Sequence, residues 1–234
     1  MPKGYTKKQL EDLYKSFYGL RQGHLTVIRE ATAEENKKCS GNAKRWLCQC
    51  DCGNQIFVKT AYIQGTAGRG DYRIDSCGCL KRIRHFISSS YLLDSSDEDW
   101  LLEFYKKDWD KFSFIHQAVL RTSGIKKTDW KDKEEYKNFL EYWWNDNQFN
   151  AIYNFWKQKE KLSTFYDFAK PSLDHKIPKS RGGANTLDNL QFLTVFENLS
   201  KRDLTWEEWT KFKTETNTTS EYYIENIIKR EEVM

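Results

Sequence analysis

The apolar positions change period several times along the chain. Between Thr6 and Tyr18, residues Leu10, Leu13, Tyr14, Phe17 and Tyr18 fall at helical spacing, which predicts a short amphipathic helix. After Gly23 the period drops to two. His24 to Arg29, Arg45 to Cys50 and Gln55 to Lys59 predict three short strands separated by polar, glycine-bearing loops. Serines and acids interrupt the pattern from Ser88 to Asp99, which predicts a linker at 91–99, and Ser95 with Glu98 predicts a capped helix from about Asp99. From Trp100 to Lys170 the spacing is helical and aromatic-rich, clearest over Phe112 to Arg121, Glu134 to Trp144 and Phe149 to Trp156. His116 has no acid partner within its own stretch and is expected to be a core or surface residue.

A second strand-like region follows. Leu173 and Ile177 sit at period-two positions with a proline at each end, so a strand is predicted from Pro171 to Ile177, and Leu190 to Leu193 predicts the returning strand. Between them Lys179-Ser180-Arg181-Gly182-Gly183-Ala184-Asn185 is basic loop chemistry that could lie against a phosphate backbone. Thr194 with Glu197 predicts a capped helix from Val195, carrying Asn198, Lys201 and Arg202 on one face and Val195 and Leu199 on a neighbouring apolar stripe. Thr205 with Glu208 opens another helix, and Glu221 to Arg230 predicts a terminal one. The expected fold class is α+β. A small β-rich module at 1–90 leads through the linker into a largely helical domain at 100–234, which contains the strand-loop-strand-helix unit at 171–202.

Charge adds an asymmetry that the pattern does not show. Residues 1–90 hold 16 Lys or Arg against 8 Asp or Glu, and residues 91–234 hold 22 against 26. A basic section of this kind is expected to attract a polyanion, most simply nucleic acid. Aromatics make up 15% of the chain, so it is expected to fold despite its many charges. No run of signal-peptide length and no window of eighteen uninterrupted apolar residues is present, which predicts a soluble, cytoplasmic protein with no membrane partner.

All six cysteines fall between Cys39 and Cys79. Cys48-Gln-Cys50-Asp-Cys52-Gly53 followed by Ser76-Cys77-Gly78-Cys79 offers two close sets of thiols on separate loops, which suits tetrahedral structural zinc. The ligands expected are Cys50, Cys52, Cys77 and Cys79, because the glycine-relieved turns beside them let thiolates converge; a site that uses Cys48 stays open. The cluster resembles the small cysteine-rich module found beside nuclease and DNA-binding domains in phage and mobile-element proteins. Such a module would present Lys44, Arg45, Lys59, Arg69 and Arg73 to DNA, with Lys81, Arg82 and Arg84 extending the basic surface.

Within 171–202 the carboxylate of Asp174, the imidazole of His175, the amides of Asn189 and Asn198 and several cations come together in sequence, an inventory suited to metal-assisted phosphodiester hydrolysis. Neighbours on a regular strand point to opposite faces, so Asp174 and His175 can share a site only near a strand end or in a strongly twisted strand. Asp174-His175, Asn189 and Asn198, with Pro178, Ser180 and Gly182-Gly183 between them, resemble the HNH endonuclease motif, a ββα-metal finger, in a His-Asn-Asn version. The resemblance covers about 35 residues. It implies His175 as the general base that activates water, Asp174 and Asn198 as ligands of one Mg²⁺ or Mn²⁺, and Asn189 as the residue that holds the loop and orients His175. Lys179, Arg181, Lys201 and Arg202 would hold the phosphate backbone of double-stranded DNA. The implied activity is a homing, phage-encoded or restriction-type endonuclease, acting as monomer or homodimer. The rival expectations are a non-catalytic, zinc-dependent DNA-binding protein on a degenerate finger, and the same chemistry on RNA.

Overall fold

The structure is a computed structural model that describes residues 6–65, 73–90, 92–122, 124–158 and 167–217. The architecture is α+β in two compact units, Met1–Ser89 with Asp94–Lys107, and Ser90–Leu93 with Asp108–Met234.

In the first unit α1 (Lys7–Lys15) starts on Thr6, whose hydroxyl accepts from the Gln9 N–H while the Gln9 side chain accepts from the Thr6 N–H. Leu10 and Phe17 are buried, and the rings of Tyr14, Phe17 and Tyr18 lie 5.8, 5.2 and 5.6 Å from Trp46. Four strands, β1 (Arg21–Gln22), β2 (Leu25–Glu30), β3 (Arg45–Cys50) and β4 (Gln55–Lys59), form an antiparallel sheet in chain order. Trp46 on the inner strand β3 is fully buried and anchors α1 to the sheet. Helix α2 (Ala33–Lys38) lies between β2 and β3, α3 (Thr60–Ile63) follows β4, and α4 (Cys79–Ser89) closes the module. The pattern alone predicted none of these three, although Thr32 and Glu35 form a reciprocal capping box on α2. In α4 Leu80, Ile83 and Phe86 turn inward, which leaves the cations of the 81–84 cluster on the exposed face.

Helix α5 (Glu98–Arg121) begins after a 3₁₀ turn capped by Asp94 rather than Ser95: the Asp94 carboxylate accepts the Ser96 N–H at 2.8 Å, and Asp97 accepts the Asp94 N–H at 3.1 Å. Helical dihedrals lapse at Asp108 (φ −162°, ψ 90°), where the two units part, and the Asp108 carboxylate caps the second half through the Lys111 N–H at 2.9 Å.

The second unit continues through α6 (Lys133–Asn145) and α7 (Asn147–Gln158) to the antiparallel pair β5 (Pro171–His175) and β6 (Leu190–Thr194), then α8 (Val195–Lys201) and α9 (Trp206–Glu215). Every residue of β6 is buried, and the Phe192 ring sits 5.0 Å from Trp143 and 4.6 Å from Phe149. Burying such a ring contributes roughly 2–3 kcal/mol, and aromatic packing of this kind holds the pair in place. His116 is a core residue with no exposed surface, and burial pushes its imidazole pKa down to about 4. No helix among the described residues is long and apolar enough to cross a membrane. The helix expected at 221–230 lies outside the described residues.

Strand β5 is shorter than its apolar period suggested. Pairing ends at His175, Lys176 N–H donates to the Asn189 carbonyl at 2.7 Å, and Ile177 is 48% exposed. Thr194 does cap α8, accepting the Glu197 N–H at 3.1 Å, but the Glu197 carboxylate turns away to accept from the Trp209 indole at 3.1 Å and Lys213 at 2.8 Å. Leu199, expected on an apolar stripe, is 53% exposed. The buried positions on α8 are Glu197 and Lys201.

Candidate active-site cleft and metal centre

Cys50, Cys52, Cys77 and Cys79 bring their sulfurs within 4.8 Å of one another, with Cys50–Cys79 at 3.6 Å and Cys52–Cys77 at 3.3 Å. A tetrahedral ion with ligands at about 2.3 Å needs sulfur edges of roughly 3.8 Å, so the donor set fits a zinc-class ion. Local turns make this convergence possible. Gly53 and Gly78 adopt φ of 94° and 105°, in the left-handed region, and the Gly53 N–H closes on the Cys50 carbonyl at 2.9 Å. Burial pushes the Cys52 thiol up to about 11 and raises Cys79 further. Burial also acts on Cys77, but hydrogen bonds from Cys52, the Cys79 N–H and Asn54 outweigh it and hold that thiol below its ordinary value. A bound cation is what would bring all four to the thiolate form. Cys48 stands apart on β3, buried against the Trp46 carbonyl at 3.7 Å, its thiol pushed up to about 11 by burial.

In the second unit Asp174, His175 and Asn198 line one cleft of about 540 Å³, together with Ser172, Arg121, Lys170 and Lys179. Asp174 and His175 can both face it because His175 is the last paired residue of β5. Among the described residues both side-chain contacts to Asp174 fall on Oδ2: Gln191 Nε2 donates at 3.0 Å and Lys201 Nζ lies at 3.3 Å. Oδ1 is left for a ligand. Lys201 has no exposed surface and also donates to the His175 carbonyl at 2.9 Å, so it is the buried counter-charge behind the site. This corrects its expected role, since an ammonium sealed there cannot reach a phosphate. Asn198 Nδ2 donates to Ser172 Oγ at 2.9 Å, which leaves the amide oxygen without a partner among the described residues. One carboxylate oxygen and one amide oxygen on one cleft are hard donors of the kind a Mg²⁺-class ion takes.

Asn189 holds the loop and does not touch the imidazole. Its Oδ1 accepts the Ile177 N–H at 2.9 Å, and its Nδ2 donates to the Ala184 carbonyl at 2.8 Å and the Ile177 carbonyl at 3.2 Å. Gly183 is pressed into the same turn. A Cβ there would stand 1.7 Å from the Ile177 carbonyl oxygen, so only glycine fits. The residue that meets His175 is Asn185, with Oδ1 2.8 Å from Nε2. Asn185, Gln191 and Ser172 were not singled out from the sequence, because short polar residues beside a motif look like ordinary loop and strand filler.

The expected DNA-contact residues divide by how they are held. Lys59, Arg73, Lys81, Arg82, Lys179 and Arg202 are exposed. Arg45 is corrected to a structural residue: it is 4% exposed and donates to the Gly41, Ala43 and Ser40 carbonyls. Lys44 pairs with Glu30 at 2.8 Å, Arg84 with Glu98 at 2.8 Å, and Arg181 forms a two-pronged pair with Glu208. Arg69 lies outside the described residues. Comparison with protein-family models, with curated proteins and with solved structures gives no match to this chain. Function therefore has to be argued from the two sites themselves.

Proposed function

We propose that the protein is a metal-dependent endonuclease of the HNH type acting on double-stranded DNA, with a structural zinc in its N-terminal unit. The observation that carries this reading is that Asp174, His175 and Asn198 line one cleft, beside the cations Arg121 and Lys179, which are in no ion pair among the described residues. Asp174 and Asn198 would hold a Mg²⁺ or Mn²⁺ ion, which when bound supplies Lewis-acid stabilisation of the charge that builds on the phosphate and the leaving oxygen.

The chain's own residues account for the remaining chemistry. The His175 imidazole, held at the strand end, accepts a proton from water as the freed electron pair of that water forms a bond to phosphorus. The bond from phosphorus to the 3′ oxygen breaks, and that oxygen takes a proton from solvent, giving 5′-phosphate and 3′-hydroxyl ends. Arg121 at the end of α5, Lys170 before β5 and Lys179 in the loop offer cations to the flanking backbone. Lys201 and Gln191 fix Asp174 from behind, so its free oxygen needs little reordering on binding.

Purified protein with Mg²⁺ is expected to nick supercoiled plasmid, and His175→Ala to lower the rate by about 10²–10⁴-fold at equal metal. If the variant cuts as fast as the parent, or the parent binds duplex without cutting it, the reading is overturned in favour of a binding protein. Preference for a structured RNA competitor over duplex DNA would move the substrate instead.

A further inference from the structure

We infer that Asp129 and Asn185 are positioning residues that hold His175 as its Nε2–H tautomer and leave Nδ1 as the nitrogen that accepts the proton. Asn185 Nδ2 lies 2.8 Å from Asp129 Oδ2 and 2.7 Å from the Gly124 carbonyl oxygen. Both partners are acceptors only, so the amide cannot be turned round without setting its oxygen against a carboxylate and a carbonyl. Its oxygen must therefore face the imidazole, and at 2.8 Å it accepts a hydrogen bond that only a protonated Nε2 can give. Asp129 is itself fixed, since its Oδ2 accepts the Lys126 N–H at 2.6 Å across a 3₁₀ turn. No partner for Nδ1 exists among the described residues, and His175 faces the cleft.

A carboxylate, an amide and an imidazole thus form one chain from a turn after α5 to the candidate base, with 56 residues of sequence between Asp129 and Asn185. The same contacts could serve merely to tie the 178–185 loop to the 124–129 turn, and the two roles make different predictions. A tie needs the bonds but is indifferent to the tautomer. A positioning role sets the tautomer and slows exchange of the Nε2 proton.

The tautomer can be read without any activity, although the use of Nδ1 rests on the nuclease reading. Long-range proton–nitrogen correlation spectra of the folded full chain at pH 8 show each imidazole nitrogen, and the His175 signals are assigned by their loss in His175→Ala. The parent is expected to show a protonated Nε2 in slow exchange with water and a bare Nδ1. Asn185→Ala and Asp129→Ala should each speed that exchange, and Asn185→Ala should lower kcat about tenfold or more with little change in KM. Should His175 carry its proton on Nδ1, or should both variants melt lower yet leave its exchange rate and kcat untouched, the inference is overturned. If Asn185→Ala does not fold, the Asp129→Ala spectrum decides alone, because that side chain lies on an exposed turn. An inactive parent with the expected tautomer would sink the nuclease assignment and leave this one standing.

Discussion

The two candidate centres of this protein are built in opposite ways. In the first unit four sulfurs converge at two glycine-relieved turns, and among the described residues they meet one another, the Asn54 side chain and the Cys79 N–H. In the second unit Asp174, His175 and Asn189 are already held by Gln191, Lys201, Asn185 and the backbone of their own loop. The thiol centre is a donor set that could hold an ion, and little else ties its sulfurs together among the described residues. The cleft is preformed by hydrogen bonds and by aromatic packing beneath β6. Metal should therefore be part of folding in the first unit and part of function alone in the second.

The largest effect that tests this contrast is loss of the sulfur-bound ion. Binding of structural zinc by four thiolates is worth about 10–16 kcal/mol of folding free energy. Chelation, or Cys52→Ser, is expected to remove amide-exchange protection from β2, β3 and β4 while protection in β6 and α7 survives. Mg²⁺ removal should leave both units protected and abolish only cutting. Protection that persists in β3 after complete zinc release would erase the distinction.

A smaller effect tests how far the cleft is prebuilt. Asp174→Ala leaves the fully buried Lys201 ammonium without its counter-charge, and breaking such a pair typically costs about 3–5 kcal/mol. The double variant Asp174→Ala with Lys201→Met should recover most of that loss in chemical denaturation. Additive losses would mean that the two side chains are not coupled.

The third effect belongs to a buried residue of α5, the helix that also contributes Phe114, Ala118 and Arg121 to the cleft. The His116 imidazole is held near a pKa of about 4 in the folded chain, below its ordinary value of about 6.5. The unfolded chain therefore binds more protons between those values. Stability is fully present above about pH 6.5, falls as the pH drops toward about 4, and changes little further below it, by an amount on the order of 3 kcal/mol. Denaturation midpoints of the parent and His116→Phe measured from pH 7 to 4 should diverge, with the variant flatter over that window. Parallel curves would show that burial of this ring does not govern the acid response.

Much of the local structure was written in the sequence. Thr6 with Gln9, Thr194 before Glu197, and Thr205 with Glu208 cap helices through their own hydroxyls, and the short apolar runs at 45–50 and 55–59 become β3 and β4. The placing of glycines beside Cys52 and Cys77 fixed the turns at the thiol centre, because a left-handed backbone is a property of one or two residues. Only the tertiary structure decided which polar residues meet. Lys201 lies on a helix face that looks suited to solvent contact, yet packing carries it inward to Asp174. Asn185 touches His175 because a turn 56 to 61 residues earlier supplies Asp129 and the Gly124 carbonyl. Capping and turn preferences depend on neighbours in the chain, whereas the partner of a buried charge or amide is chosen by three-dimensional proximity, which periodicity does not encode.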